Sequence, residues 1–242
     1  MTRLVASALL VLLASPGFAA DVLVKIKTHS DAIAVGGQSQ PARDGMAEQW
    51  YGPGKTAQSS GDSGFIVDLD KNMAFMINHG AKSYVPLPLP IDIVKVLPPE
   101  IAQQAAMMQM TATVSTTAET KTIGSWPCIG WDVTLTMTGM PMRMRVWTTT
   151  AVPAALLEHS ARVTPAFLQG QMRLTAESMT EFAKIKGFQV ATELTADVMG
   201  ARMRTTTEVI EIVEKVAPSG TFEPPAGYTQ KATLSMQDLQ RR

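Results

Sequence analysis

Methionine stands at positions 137, 140, 142 and 144 of the stretch MTGMPMRMRVW, and from Met140 it alternates with other residues. That is the two-residue period of a β-strand, so Met140, Met142, Met144 and Val146 share one face. Thioether is soft, polarizable and conformationally free, which suits three uses. It can fill a tightly closed core, or line a pocket that adapts to acyl chains and other lipophiles. In an exported protein, an M-x-M-x-M run can also hold Cu(I), for which thioether is a matched ligand. A strand is the wrong place for an exposed metal-gathering loop, so no metal ligand is assigned. Arg143 and Arg145 alternate with the methionines and face the other side with Trp147.

The remaining chemistry-bearing residues do not assemble into a catalytic constellation. GDSG at Gly61 to Gly64 matches the core of a serine-protease nucleophile loop, but Ser63 comes early in the chain and only His29 precedes it. Four turn formers in a row read as a turn. His29, His79 and His159 lack both an H-x-x-x-H pairing and acidic partners at ligand spacing, and read as surface residues. Asp68 and Asp70 belong to a strand end and turn. Cys128 is the only cysteine, which excludes an intrachain disulfide and reads as a buried thiol. The chain is therefore expected to be non-enzymatic and to carry no cofactor.

Strands must position these residues. Asp21 to Thr28 alternates apolar and polar residues, and a Gly/Gln/Ser/Pro-rich loop is expected from Gly36 to Gly45. Short runs then follow at Met46 to Tyr51, Lys55 to Ser60, Phe65 to Leu69, Met73 to Asn78 and Lys82 to Val85, the spacing of an antiparallel meander. Pro98-Pro99-Glu100 starts a helix with Ile101, Ala105 and Met108 on one face. Further strands are expected at Thr111 to Thr117, Lys121 to Gly124, Ile129 to Met137 and Met142 to Thr150. Two helices come next. Pro153 to His159 is short, and Pro165 to Lys186 carries a stripe of Leu168, Met172, Thr175, Met179, Phe182 and Ala183 before Gly187 ends it. Strands Phe188 to Val198 and Arg202 to Val213 close the pattern. GMPMR at Gly139 and GARMR at Gly200 echo one another as hairpin turns with Met-Arg return strands, each followed by a threonine triplet.

Composition bounds the class. Lysine plus arginine equal aspartate plus glutamate at 21 each, which leaves no electrostatic footprint for nucleic acid. Sixteen methionines against seven phenylalanines and three tyrosines put compliant side chains where rigid rings usually pack. The opening MTRLVASALLVLLASPGFAADV has a basic start, an apolar run and small residues before Ala20, the anatomy of a cleaved secretory signal with its cut after Ala19. The apolar run is too short to span a bilayer core, which needs roughly 20 residues. An exported, periplasmic protein that is not integral to the membrane is expected.

Three blocks, GFIVDLDKNMAFMINHGAKSYVPLPL, IGSWPCIGWDVTLTMTGMPMRMRVW and GFQVATELTADVMGARMRTTTEVIEIVEKVAPSGTFEPPAGY, resemble in order those of a family of exported bacterial proteins of unknown function, a domain of unknown function grouped with the LolA-like and RseB-like periplasmic proteins. The closing F-x-P-P-x-G-Y from Phe222 to Tyr228 is the most specific piece. The resemblance implies an α+β fold in which a strongly curved antiparallel sheet, an open half-barrel, has helices covering its concave face. It also implies an acyl-chain or partner-docking role like that of the carriers and stress sensors of that superfamily.

The resulting expectation is a signal peptide at 1–19, a single half-barrel domain at 20–229 and a polar C-terminal tail at 230–242. A lipophilic or amphipathic ligand, an acyl chain or lipid-like carrier cargo, is expected to sit in the cavity against Met140, Met142, Met144, Val146, Met172, Met179, Phe182 and Met203. The alternative is an envelope protein-interaction or stress-regulatory module without ligand, and the minor alternative is a Cu(I)-binding protein.

Overall fold

The computed structural model describes residues 21–35, 38–107, 110–137, 139–198, 200–236 and 238, and leaves the side chains of 107, 166–172 and 198 undescribed. The signal-like opening, Met108 and the last residues of the tail lie outside the described residues.

Fourteen strands and three α-helices follow one another along the described chain. β1 (Val22–Ser30) leads to a small hairpin of β2 (Ile33–Val35) and β3 (Gln38–Gln40), of which β3 lies inside the segment Gly36 to Gly45 expected to be a loop. β4 (Arg43–Gly52), β5 (Lys55–Ser60), β6 (Ser63–Asp68), β7 (Met73–Asn78) and β8 (Ser83–Pro88) form the expected meander. Gly61 and Asp62 of the GDSG motif make the turn between β5 and β6. A 3-10 turn (Ile93–Val96) and α1 (Pro99–Met107) intervene. Then come β9 (Met110–Ile123), β10 (Trp126–Met137), β11 (Met140–Thr149), α2 (Ala154–Met172), α3 (Ala176–Phe182), β12 (Phe188–Val198), β13 (Ala201–Glu214) and the two-residue β14 (Thr229–Gln230).

The strands build one twelve-stranded sheet in the order β14-β8-β7-β6-β5-β4-β1-β13-β12-β11-β10-β9. All neighbours are antiparallel except β14 and β8. β1 is the seam between an N-terminal and a C-terminal meander, pairing Val24 with Gln49 on one side and Ile212 on the other. Gly139 and Gly200 adopt positive φ at the β10–β11 and β12–β13 turns, the left-handed conformation that glycine enters without steric cost.

The half-barrel with helices covering a concave face is not what forms. The sheet is mixed and neither closed nor strongly curled, with 55% of residues in strands and only 16% in helices. Closure is one way to remove exposed strand edges, and this chain blunts its edges locally instead. β14 lies along β8, with Thr229 N–H donating to Lys82 C=O and Lys231 N–H to Tyr84 C=O. At the far edge α3 supplies side chains: Ser178 Oγ accepts the Ala112 N–H at 2.8 Å, and Glu181 Oε2 accepts that of Val114 at 2.9 Å.

The helices also differ in their limits. Pro165 lies inside α2 rather than at a helix start, and Arg173, in the left-handed conformation at φ 48°, ends α2 and separates it from α3. The expected stripe is thus split between two helices. Leu156 of α2 packs with Val22, Val24, Tyr51, Phe188, Val190 and Val209 on one face of the sheet. Val163 joins Val67, Met76, Val85, Leu87 and Val96 farther along. On the opposite face, the F-x-P-P-x-G-Y segment explains itself: Phe222 and Tyr228 pack on Ala57, Ile66 and Ile77, and Tyr228 OH meets His79 Nδ1 at 3.0 Å.

Candidate functional site

Residues directly opposite one another on adjacent strands share a face. The register therefore assembles three rows on the side of the sheet that bears α2 and α3. Val146 stands beside Thr192, Thr207 and Thr28; Val133 beside Met144, Leu194, Thr205 and Ser30; and Leu135 beside Met142, Ala196 and Met203. One end of this surface is thioether and aliphatic. The other end, towards β1, is a group of hydroxyls.

The apolar end is tied to the core. Met142, Met144, Met179 and Phe182 are half-buried and pack around Val114, Trp131, Val133, Leu135, Val146 and Leu174. The structure therefore gathers Met142, Met144, Val146, Met179 and Phe182 in one cluster beneath α3. Met203 is half-buried two strands away, opposite Ala196. Met140 sits at the hairpin end and is 52% exposed. The Met172 side chain lies outside the described residues.

The hydroxyl end was not anticipated. Thr192 and Thr207 hydrogen-bond through their hydroxyls, Ser30 Oγ and Thr205 Oγ1 do so at 3.1 Å, and Thr28 lies between them. All five are half-buried. Each hydroxyl has two acceptor lone pairs and one proton, so a paired hydroxyl still has capacity for a further partner. Counting strands outward from the Gly139 and Gly200 turns is the signal that locates Thr205 and Thr207 beside the methionines. The other triplet is structural, since Thr148 Oγ1 accepts the buried Trp131 indole N–H at 2.8 Å.

Electrostatics divide the two faces. Opposite the methionines, Asp132, Arg145, Glu193, Thr206, His29 and Asp44 lie in one cross-strand row. Arg145 bridges Asp132 and Glu119 at 2.5 and 2.6 Å, and Arg204 reaches Glu193 at 2.9 Å. Hydrogen bonding to Arg204 holds the Glu193 carboxyl below its ordinary range. No charged residue enters the three rows that carry the methionines and hydroxyls, apart from Arg43 opposite Ser30 at the rim.

His159 is not the surface residue expected from the sequence. It is 7% exposed, hydrogen-bonds Thr56 and stands edge-on to Tyr51 at 5.2 Å. Burial, helped by the Arg162 charge, lowers its pKa to about 4, so it is neutral at pH 7. Cys128 is a free buried thiol, as expected, pushed up in pKa by burial. Asp68, read as turn chemistry, is fully buried between Lys55 and Lys71 at 3.6 and 3.5 Å.

A recess near Asp62, Asn78, Tyr84 and Asp238 holds about 20 Å³, room for about one water and not for an acyl chain. Among the described residues no helix is long and apolar enough to cross a membrane. No protein-family model matches the chain, and comparison with curated proteins finds no match.

Proposed function

We propose that the protein is an exported, non-enzymatic binding protein that takes an amphipathic or lipophilic molecule on the open helix-bearing face of its sheet. The apolar part of the ligand lies along Met142, Met144, Leu194 and Met203, and its polar group meets Thr28, Ser30, Thr192, Thr205 and Thr207. One observation carries this reading. The strand register puts compliant thioethers and a group of hydroxyls on one half-exposed surface from which charge is excluded apart from Arg43 at its rim. Such a surface offers flexible apolar contact together with a few oriented polar groups, the combination that ligand sites use. The signal-like opening supports export.

The test joins two measurements. Native mass spectrometry of protein released from the periplasm is expected to detect a co-purifying lipid. A solvatochromic fatty-acid probe is expected to bind at least tenfold more weakly to Met144→Arg and Met203→Arg, with the far-ultraviolet spectrum retained. Unchanged probe binding in both folded variants, or release as a stoichiometric complex with another envelope protein and no lipid, overturns the proposal.

A further inference from the structure

The same register carries a second, independent arrangement one row nearer the hairpin end. Met137 pairs directly with Met110 of β9 on one side and with Met140 of β11 on the other. Three thioethers thus stand side by side on adjacent strands of the helix-bearing face, within the reach of three flexible side chains. The geometry points to a binding site for a soft monovalent ion, Cu(I) or Ag(I), coordinated by the sulfurs of Met110, Met137 and Met140.

Two features hold the three positions in place. Gly139, at φ 82°, forms the tight turn that fixes Met137 opposite Met140. Met110 is clamped through its own backbone: its N–H donates to Arg173 C=O, and its C=O accepts from Thr175 N–H, each at 3.4 Å. Preorganised ligand positions reduce the ordering cost of binding. Met140 is exposed to solvent, while Met110 and Met137 are half-buried, so an ion can enter at the hairpin end and meet sulfur on both sides.

The donor set decides which ion. Neutral thioethers match soft, low-charge ions and offer little to Zn(II) or Cu(II), which favour imidazole, thiolate or carboxylate. Among the described residues no group of three His, Cys, Asp or Glu is arranged to compete for the ion. This set shares Met140 with the alternating run along β11, and Met110, like Met142 and Met144, is half-buried against the cluster beneath α3.

The test is anaerobic titration of the full protein with Cu(I) against a colorimetric chelator. Ag(I) titration followed through ¹³C-labelled methionine methyl resonances accompanies it. One equivalent per chain is expected, with the methyls of residues 110, 137 and 140 moving together and no response to Zn(II). Met110→Leu, Met137→Leu and Met140→Leu conserve apolar volume, and each is expected to weaken Cu(I) at least tenfold, whereas Met46→Leu on the opposite face leaves it unchanged. The proposal is overturned if the wild type fails to compete, if other methyls respond instead, or if a folded triple-leucine variant keeps its affinity.

Discussion

His159 of α2 and Thr56 of β5 are hydrogen-bonded side chain to side chain beneath the helix, with the imidazole edge against Tyr51. The histidine is neutral when folded, with a pKa of about 4, and ordinary, near 6.5, when unfolded. Between these values the unfolded chain binds the extra proton, so stability rises with pH. Stability held at pH 7 is therefore lost as pH falls from about 6.5 to 4, by roughly 2 to 3 kcal/mol for this one group. Urea unfolding at pH 7, 5.5 and 4.5 checks it. His159→Leu should be less stable at pH 7 yet flatter across the window, and equal acid sensitivity in both proteins would sink the assignment.

Ser178 and Glu181, one helical turn apart on α3, take up the outward N–H groups of Ala112 and Val114. Ser178→Ala with Glu181→Ala leaves both donors without a side-chain acceptor. A loss of about 1 to 3 kcal/mol per bond to a buried donor sets the upper range, reduced where water reaches the edge. Light scattering after size exclusion is expected to show concentration-dependent association through β9. A strictly monomeric double variant would contradict the edge-sealing role.

A Cβ on Gly52 would stand 2.9 Å from the Phe222 ring and 2.8 Å from an Asp21 carboxylate oxygen. Gly52→Ala must displace the ring that covers the opposite face, at a cost of about 1 to 3 kcal/mol for overpacking. Combining it with Phe222→Leu should recover part of that loss, which a thermodynamic cycle of the four proteins measures. Strict additivity would show that the two positions do not press on each other.

Thr148→Val keeps the shape of the side chain but leaves the buried Trp131 indole N–H without its acceptor. A cost of about 1 to 3 kcal/mol is expected. Thr148→Ser retains the hydroxyl and should be milder. Denaturant midpoints with tryptophan fluorescence read both variants, and a Thr148→Val protein as stable as the wild type, with the loss confined to Thr148→Ser, would point to the methyl group rather than the hydrogen bond.

The strand pattern was legible because alternation is local. The β5 to β7 runs and the Gly139 and Gly200 turns emerge from residue types alone, and the face shared by Met142, Met144 and Val146 follows from the same period. Helix limits were harder. Pro165 reads as a start by its chemistry, yet α2 runs through it, and the break falls at Arg173, whose left-handed conformation no residue preference announces. The half-barrel came from the resemblance, and curvature is a property of the assembled sheet that no short motif encodes. His159 was misread because burial depends on where α2 lands, and the Thr and Ser hydroxyls were missed because they meet only through pairing of β12, β13 and β1.

β1 occupies the middle of the sheet, yet it is the first described strand in the chain, and Val22 is flanked by Tyr51 and Glu214. One side of it is satisfied early in synthesis by β4, while the other waits for β13, which begins only at Ala201. Long-range pairing of this kind slows folding, because loop closure comes before the contacts that reward it. The nascent molecule thus carries a built-in delay: it cannot complete its central seam, and so cannot lock, until β13 has arrived.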